Sequence, residues 1–428
     1  MEREVENMKI MWLCNKIIPI SGFEIEGKPE SWISAIFCEI VKNPDIELTY
    51  LYPNEESEIK EKIVEKAKFV NYKREKSDRL EDCQIEQFKS IVKKYDPDVI
   101  QIFGSEFPHT LAMVKVCEEL GLLDRVVITI QGLVSIYSKH YEAYLPKKVV
   151  NGYSFGDLVR KDNLANSKKI YEIRGKYEEE AIKSVKHIIG RTDWDKACVK
   201  RLNPEVNYHY CSETMRKPFF ENRWNFETCQ KHSIFLSQWY SPLKGLHLVL
   251  EAMADLVKKY PDIHLYTTGE SFLDDSLKTK IKLSKYKQYC KSLIKNAGLE
   301  NHITFLGYLD ENEMCERFLK SNVFVCASSI ENSPNSVGEA MLLGVPTVSS
   351  DVGGVKNLMV HSEEGFIYPA DEPYMLAYYL SEIFENRELA EKFSKNSRKH
   401  AKELYDLDKN MDNLLRIYES ISNKILTK

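Results

Sequence analysis

Long hydrophobic runs are missing from this chain. A membrane-spanning helix needs about 18 or more consecutive apolar residues, and no such stretch occurs. An excess of basic charge is missing too. The net charge is −5, whereas a nucleic-acid binder carries a basic surplus, so nucleic acid is not an expected partner. The ten cysteines include no C-x-x-C pair. Several of them (Cys14, Cys117, Cys326) sit in apolar runs, where cysteine behaves as a small core residue. That usage fits a reduced, cytoplasmic compartment. One loose grouping, His209-x-Cys211 with Cys229-x-x-His232, lacks the paired cysteines of a structural zinc site. No metal is expected. Internal repeats, low-complexity segments and a Walker-type loop are also absent. The charged stretch from Met1 to Met8 lacks the apolar core of a signal peptide.

The composition is that of a soluble globular protein, 43% hydrophobic and 29% charged, and 428 residues suffice for two or three domains, each with its own core. Apolar runs at Lys9–Cys14, Leu48–Tyr52, Val99–Phe103, Val126–Ile130 and His187–Gly190 read as buried strands. Helical periodicity separates them, as at Gln84–Tyr95 and Thr110–Leu120. A second series runs through Ser233–Ser237, Ile263–Thr268, Ile303–Gly307, Val323–Cys326, Val345–Ser349 and Gly365–Tyr368. Alternating strands and helices predict parallel sheets covered on both faces, with ligands at the carboxyl ends of the strands. The stretch from Cys14 to Pro29 contains no G-x-G-x-x-G, which argues against a dinucleotide oxidoreductase. Two D-x-D triplets occur. Asp96-Pro97-Asp98 precedes a strand, and Asp193-Trp194-Asp195 reads as a helix start with Asp193 as N-cap.

The most informative stretch is Ala327–Met341. It follows the strand Val323–Cys326 and runs through Pro334 and Asn335 into a helix that Gly344 ends. A strand, a polar loop and a helix N-terminus in that order can hold an anion. Two carboxylates, Glu331 and Glu339, frame the loop in an E-x7-E spacing. Carboxylates suit hydroxyls rather than phosphate, so sugar and ribose hydroxyls are the natural ligands.

With Glu339-Ala340-Met341, Gly344-Val345-Pro346 and Val352-Gly353-Gly354 at their spacing, Glu331–Gly354 resembles the retaining family-4 glycosyltransferases of the GT-B fold. Lys244-Gly245, between the strand at 233–237 and an amphipathic helix, resembles that family's phosphate-binding Lys-Gly. The resemblance implies an α/β chain with two doubly wound, Rossmann-like domains facing a central cleft. The acceptor-side domain is expected at 1–204, a linker at 205–232, the donor-side domain at 233–400, and a crossing-back helix at 401–428. It implies transfer of a sugar from a nucleotide diphosphate sugar to a saccharide or lipid-linked saccharide, with retention and with neither metal nor cofactor. Peripheral contact with a membrane surface is compatible with it. Lys244 and Glu331 are then the catalytic pair. Glu339, Asn335, Ser336, Val337, Gly245 and Gly22 bind the donor, with Glu339 on the ribose. On the acceptor side stand Gln131, His109, His140 and Tyr137. The chain departs from the family pattern in two places. Gln131 stands where many relatives have His, and no Arg precedes Lys244; Arg191 is a conceivable substitute. Two alternatives stay open: a sugar-nucleotide epimerase of the same fold, and a non-catalytic nucleotide-sugar binding subunit.

Overall fold

The computed structural model describes residues 7–18, 31–74, 76, 78–160, 162–274, 276 and 281–426, without the side chains of 31 and 32. Gly22, expected at the donor diphosphate, lies outside the described residues. The chain forms two compact units. The first comprises Met1–Ile136, Ile170–Met215 and Tyr405–Lys428, and the second Tyr137–Lys169 with Arg216–Leu404.

The first unit is built on eight strands: β1 Met8–Leu13, β2 Ile46–Asn54, β3 Glu61–Val64, β4 Ala67–Lys73, β5 Val99–Phe103, β6 Val126–Thr129, β7 His187–Gly190 and β8 Asn207–Tyr210. They lie in the order β3-β4-β2-β1-β5-β6-β7-β8. All neighbours are parallel except β3, which pairs antiparallel with β4. The expectation of an all-parallel sheet therefore needs correction at this edge. The β3–β4 hairpin turns at Glu65 and Lys66, both at positive φ (50 and 68). A second correction is β8, which lies inside the stretch read as irregular linker.

Side chains alternate across β1, as a strand requires. Met11 and Leu13 enter one core with Phe88, Ile91 and Met113. Met8, Ile10, Trp12 and Cys14 enter the other with Phe37, Tyr50 and Tyr418. Tyr418 belongs to the terminal helix Leu407–Ser422. Its hydroxyl accepts a 2.9 Å bond from Trp12 Nε1 and donates to Gln101. Lys424 Nζ, just beyond, meets Asp98 at 2.8 Å. Full burial of an aromatic such as Tyr418 contributes roughly 2–3 kcal/mol, so this helix is integral to the first unit.

The second unit holds β9 Gln230–Leu236, β10 His264–Thr267, β11 Ile303–Phe305, β12 Ser321–Cys326, β13 Thr347–Ser350 and β14 Phe366–Tyr368. Their order, β11-β10-β9-β12-β13-β14, is the doubly wound one, with every pair parallel. Every residue of β12 and β13 is buried, as covering both faces demands. The segment Tyr137–Lys169 belongs here, whereas the sequence reading ran the first domain unbroken through 1–204. Polar contacts such as these hold it. His247 Nε2 meets the Ala143 carbonyl at 2.7 Å, Lys285 N–H donates to Asp157 at 2.8 Å, and Arg160 donates to the Lys282 carbonyl at 2.8 Å. Among the described residues no helix is long and apolar enough to cross a membrane.

Candidate active site

In the second sheet the strand order reverses between β9 and β12, which lie side by side with Val323 against Ile234 and Phe324 against Phe235. Loops leaving the carboxyl ends of two such strands diverge and leave room for a ligand. The loop after β9 ends in a short turn, Pro242–Lys244, capped by Ser241 Oγ, which accepts from Leu243 N–H at 3.3 Å. Gly245 follows at φ +71, and a Cβ there would lie 1.9 Å from the Ala327 carbonyl oxygen. Only glycine lets this loop approach the end of β12 so closely. Ser329 N–H then donates to the Leu243 carbonyl at 2.8 Å and laces the two loops together.

This lacing brings Lys244 to Glu331. Lys244 Nζ stands 2.5 Å from Glu331 Oε1, and Ser328 Oγ donates to the same oxygen at 2.7 Å. Glu331 is buried, while a third of the Lys244 side chain stays exposed. The carbonyl of Glu331 is held from the other side. Gly354 N–H donates to it at 3.2 Å, and a Cβ on Gly353 (φ +51) would sit 1.7 Å from its oxygen. The adjacent glycines of the motif thus serve to receive the Glu331 backbone.

The second carboxylate lies in different company. Glu339 is the fifth residue of the helix Asn335–Leu343 and is buried. Arg216 pairs with it through Nη2 and, at 3.1 Å, through Nε. Burial raises the Glu339 pKa, and Arg216 opposes the rise. The sequence reading did not single out Arg216. It lies 123 residues away along the chain, and no motif surrounds it. At the helix start, Val337 N–H turns back to the Pro334 carbonyl at 3.0 Å. Asn335 and Ser336 open the first turn of this helix.

The acceptor-side candidates separate. Tyr137 and His140 fall in the second unit, beside the Glu331 loop. The Tyr137 hydroxyl accepts from Asn332 N–H at 3.1 Å, and Ser329 Oγ meets the His140 carbonyl at 3.3 Å. Burial lowers the His140 pKa. Gln131 and His109 fall in the first unit. The Gln131 carbonyl accepts from Arg191 at 3.4 Å. His109 stacks on Phe107 with ring centroids 5.9 Å apart, and burial, with a smaller push from Arg174, lowers its pKa to about 3.

Arg191, the conceivable replacement for the family cation, belongs to the first unit and is neutralised there by Glu213 at 2.8 Å, both side chains being buried. Asp193-Trp194-Asp195 does begin a helix, but Thr192 is the N-cap, one residue earlier than expected. Asp195 closes the capping box, accepts from Arg191 N–H at 2.9 Å and takes the Tyr208 hydroxyl at 2.5 Å. The four members of the loose Cys/His grouping have other company. His209 meets His187 at 3.0 Å and His232 meets Asp262 at 2.7 Å. The Cys211 and Cys229 thiols donate to backbone carbonyls.

The chain resembles known proteins in sequence over part of its length and in fold over nearly all of it. Residues 217–400 match the family model of glycosyl transferases group 1. Spore coat protein SA of Bacillus subtilis is 26% identical over 181 residues, which are 42% of this chain and 46% of that protein. The chain spans about half the length of the curated relatives it matches. Among solved structures, sucrose-phosphate synthase from Thermosynechococcus elongatus superimposes with a TM-score of 0.70 at 15% identity, covering 97% of this chain and 99% of that one. Anabaena HepE, solved in complex with UDP-glucose, superimposes with a TM-score of 0.66 at 13% identity, covering 97% and 100%. The chain therefore has the GT-B fold, and its residues 217–400 resemble the glycosyl transferases group 1.

Proposed function

We propose that the protein transfers a sugar from a nucleotide diphosphate sugar to an acceptor hydroxyl, with retention and without a metal or cofactor. The observation that carries this reading is the Lys244–Glu331 pair at the point where the second sheet reverses its strand order. A diphosphate leaving group needs developing negative charge stabilised. The Lys244 ammonium and the first-turn N–H groups of Asn335 and Ser336 serve that need, so no cation has to. Glu331 accepts from hydroxyls of the donor sugar. Glu339, held by Arg216, accepts from the ribose. In the transfer the bond from the anomeric carbon to the diphosphate oxygen breaks. The bond to the acceptor oxygen forms, and the acceptor's proton passes to the departing diphosphate.

The acceptor is a saccharide or lipid-linked saccharide met in the cytoplasm, in the assembly of a surface polysaccharide or glycolipid. A lipid-linked acceptor would bring the protein to a membrane surface. A thermal-shift screen of nucleotide sugars is the first test, because a donor bound only by the folded state raises its melting point. The donor so found is then incubated with candidate acceptors, with and without EDTA. An α-linked product from an α-linked donor, formed equally in both, supports the reading. An inverted product overturns retention, and loss of activity that Mg²⁺ or Mn²⁺ restores overturns metal independence.

A further inference from the structure

The carboxyl ends of β1, β2, β4 and β5 frame a pocket of about 370 Å³ in the first unit, within the range of small-molecule sites. Three cations line it, Lys16, Arg74 and Lys76, and no Asp or Glu is among the described residues of its lining. Outside that lining, Glu55 stands 3.5 Å from Arg74 Nε. Both of those side chains are largely exposed, so the pair is weak and salt-screened. The floor is more telling. Gln84 is 2% exposed; its Nε2 donates to the Lys73 carbonyl at 3.4 Å, but its buried Oε1 has no hydrogen-bond partner among the described residues. His109 is 7% exposed, and its buried Nε2 also has none among the described residues. Buried polar atoms are nearly always satisfied, so two unsatisfied ones on the wall of one pocket call for a ligand. Burial keeps His109 neutral, and a neutral imidazole nitrogen either gives or takes one hydrogen bond.

We propose that this pocket binds an acceptor that is both hydroxylated and anionic, a sugar or polyol bearing a phosphate or carboxylate group. Lys16, Arg74 and Lys76 meet the anion, Gln84 Oε1 accepts from a hydroxyl, and His109 Nε2 completes the hydrogen bonding. The inference rests on the transfer reading for the word acceptor alone; the binding chemistry stands on the pocket.

The test is calorimetric titration of the full chain with glucose 6-phosphate, glucuronate, glucose, inorganic phosphate and UDP. At least one of the two charged sugars is expected to bind about tenfold or more tightly than glucose or inorganic phosphate. Which of them does so separates phosphate from carboxylate. The double exchange Arg74→Glu with Lys76→Glu, at exposed positions, should abolish that binding and leave UDP binding unchanged. Gln84→Leu should weaken the charged sugar severalfold without altering the affinity for inorganic phosphate. Glucose binding as tightly as both charged sugars, no charged sugar binding at millimolar concentration, or indifference to the charge exchange would each overturn the proposal. If a charged sugar binds and neither UDP nor any of GDP, ADP and dTDP does, the transfer reading fails while the pocket stands.

Discussion

Lys244 Nζ and Glu331 Oε1 lie 2.5 Å apart although 87 residues separate them in the chain. The pair exists because two adjacent parallel strands release their loops together and Gly245 lets those loops touch. The two opposite charges offset each other. A bound diphosphate would compete for Lys244, and sugar hydroxyls for Glu331. Lys244→Met is expected to lower kcat/KM about a hundredfold or more by removing charge stabilisation of the leaving group. Glu331→Gln keeps the size and loses the ionised acceptor, so its loss should fall mainly on kcat. Steady-state kinetics on both variants check this. Wild-type values in either would remove that residue from the chemistry.

The glycines around this pair give a graded prediction. Gly353→Ala sets a methyl 1.7 Å from the Glu331 carbonyl at φ +51, and Gly245→Ala sets one 1.9 Å from that of Ala327 at φ +71. Neither obstacle is a movable side chain. Each substitution is expected to cost about 3 kcal/mol or more and to disturb the Glu331 loop. Gly298 has nearly the same φ, +67, with nothing within 4 Å of the added carbon. Gly298→Ala should therefore cost only about 1–2 kcal/mol of backbone strain. Urea denaturation of the three variants measures the difference. Equal losses would mean that φ alone sets the requirement for glycine.

The loops that the Lys244–Glu331 pair and its glycines stand on were legible because they are contiguous motifs. Lys244-Gly245, Glu331 and Gly353-Gly354 each announce a loop whose position between strand and helix can be read locally. The strands β5 and β7 were legible to the residue because they are short apolar runs bounded by polar ones. The β3–β4 hairpin was not. Its outer strand, Glu-Lys-Ile-Val, is mostly exposed, and its turn residues Glu65 and Lys66 lack the Asn-Gly signature that positive φ usually brings. β8, Asn-Tyr-His-Tyr, is a polar edge strand for the same reason. Arg216 and the placement of Tyr137–Lys169 were out of reach on other grounds. Both depend on which distant element a segment packs against, and local periodicity carries no such information.

The Arg216–Glu339 pair is a buried salt bridge, and that dictates how its variants behave. Arg216→Met should destabilise the second unit by about 3 kcal/mol, because it leaves a buried carboxylate without its cation. Glu339→Gln in the same background should recover most of that loss. Without Arg216 the Glu339 pKa climbs further above its usual range, since burial already raises it. The carboxyl is then protonated at mild acidity, so the Arg216→Met deficit should shrink from pH 8 to pH 5. A double-mutant cycle at both pH values measures this, and a coupling energy near zero would mean that the ion pair adds nothing.

Acid sensitivity should come from two buried histidines, one in each unit. Burial lowers His109 to about 3 and His247 to about 4, the latter despite its bond to the Ala143 carbonyl. A folded-state pKa below the unfolded value of about 6.5 means that the unfolded chain takes up the proton first. The stability that each neutral histidine contributes is complete above pH 6.5 and falls as the pH drops toward the folded value. By pH 5 each should have cost about 2 kcal/mol relative to pH 8. In the first unit Glu106 works in the opposite direction, because burial raises it to about 7 and acid lets it take a proton in the folded state. In the second unit burial likewise raises Glu339 and Glu251, so the His247 contribution is read as the difference between wild type and a His247 variant, in which those carboxylates cancel. His247→Leu forfeits the contacts to Ala143 and Tyr286 and should start less stable at pH 8. Its stability should then fall less steeply than that of the wild type between pH 6.5 and pH 5, so the two curves converge. Denaturant midpoints of the full chain across that interval decide the matter. Parallel curves would mean that His247 is not the group that titrates.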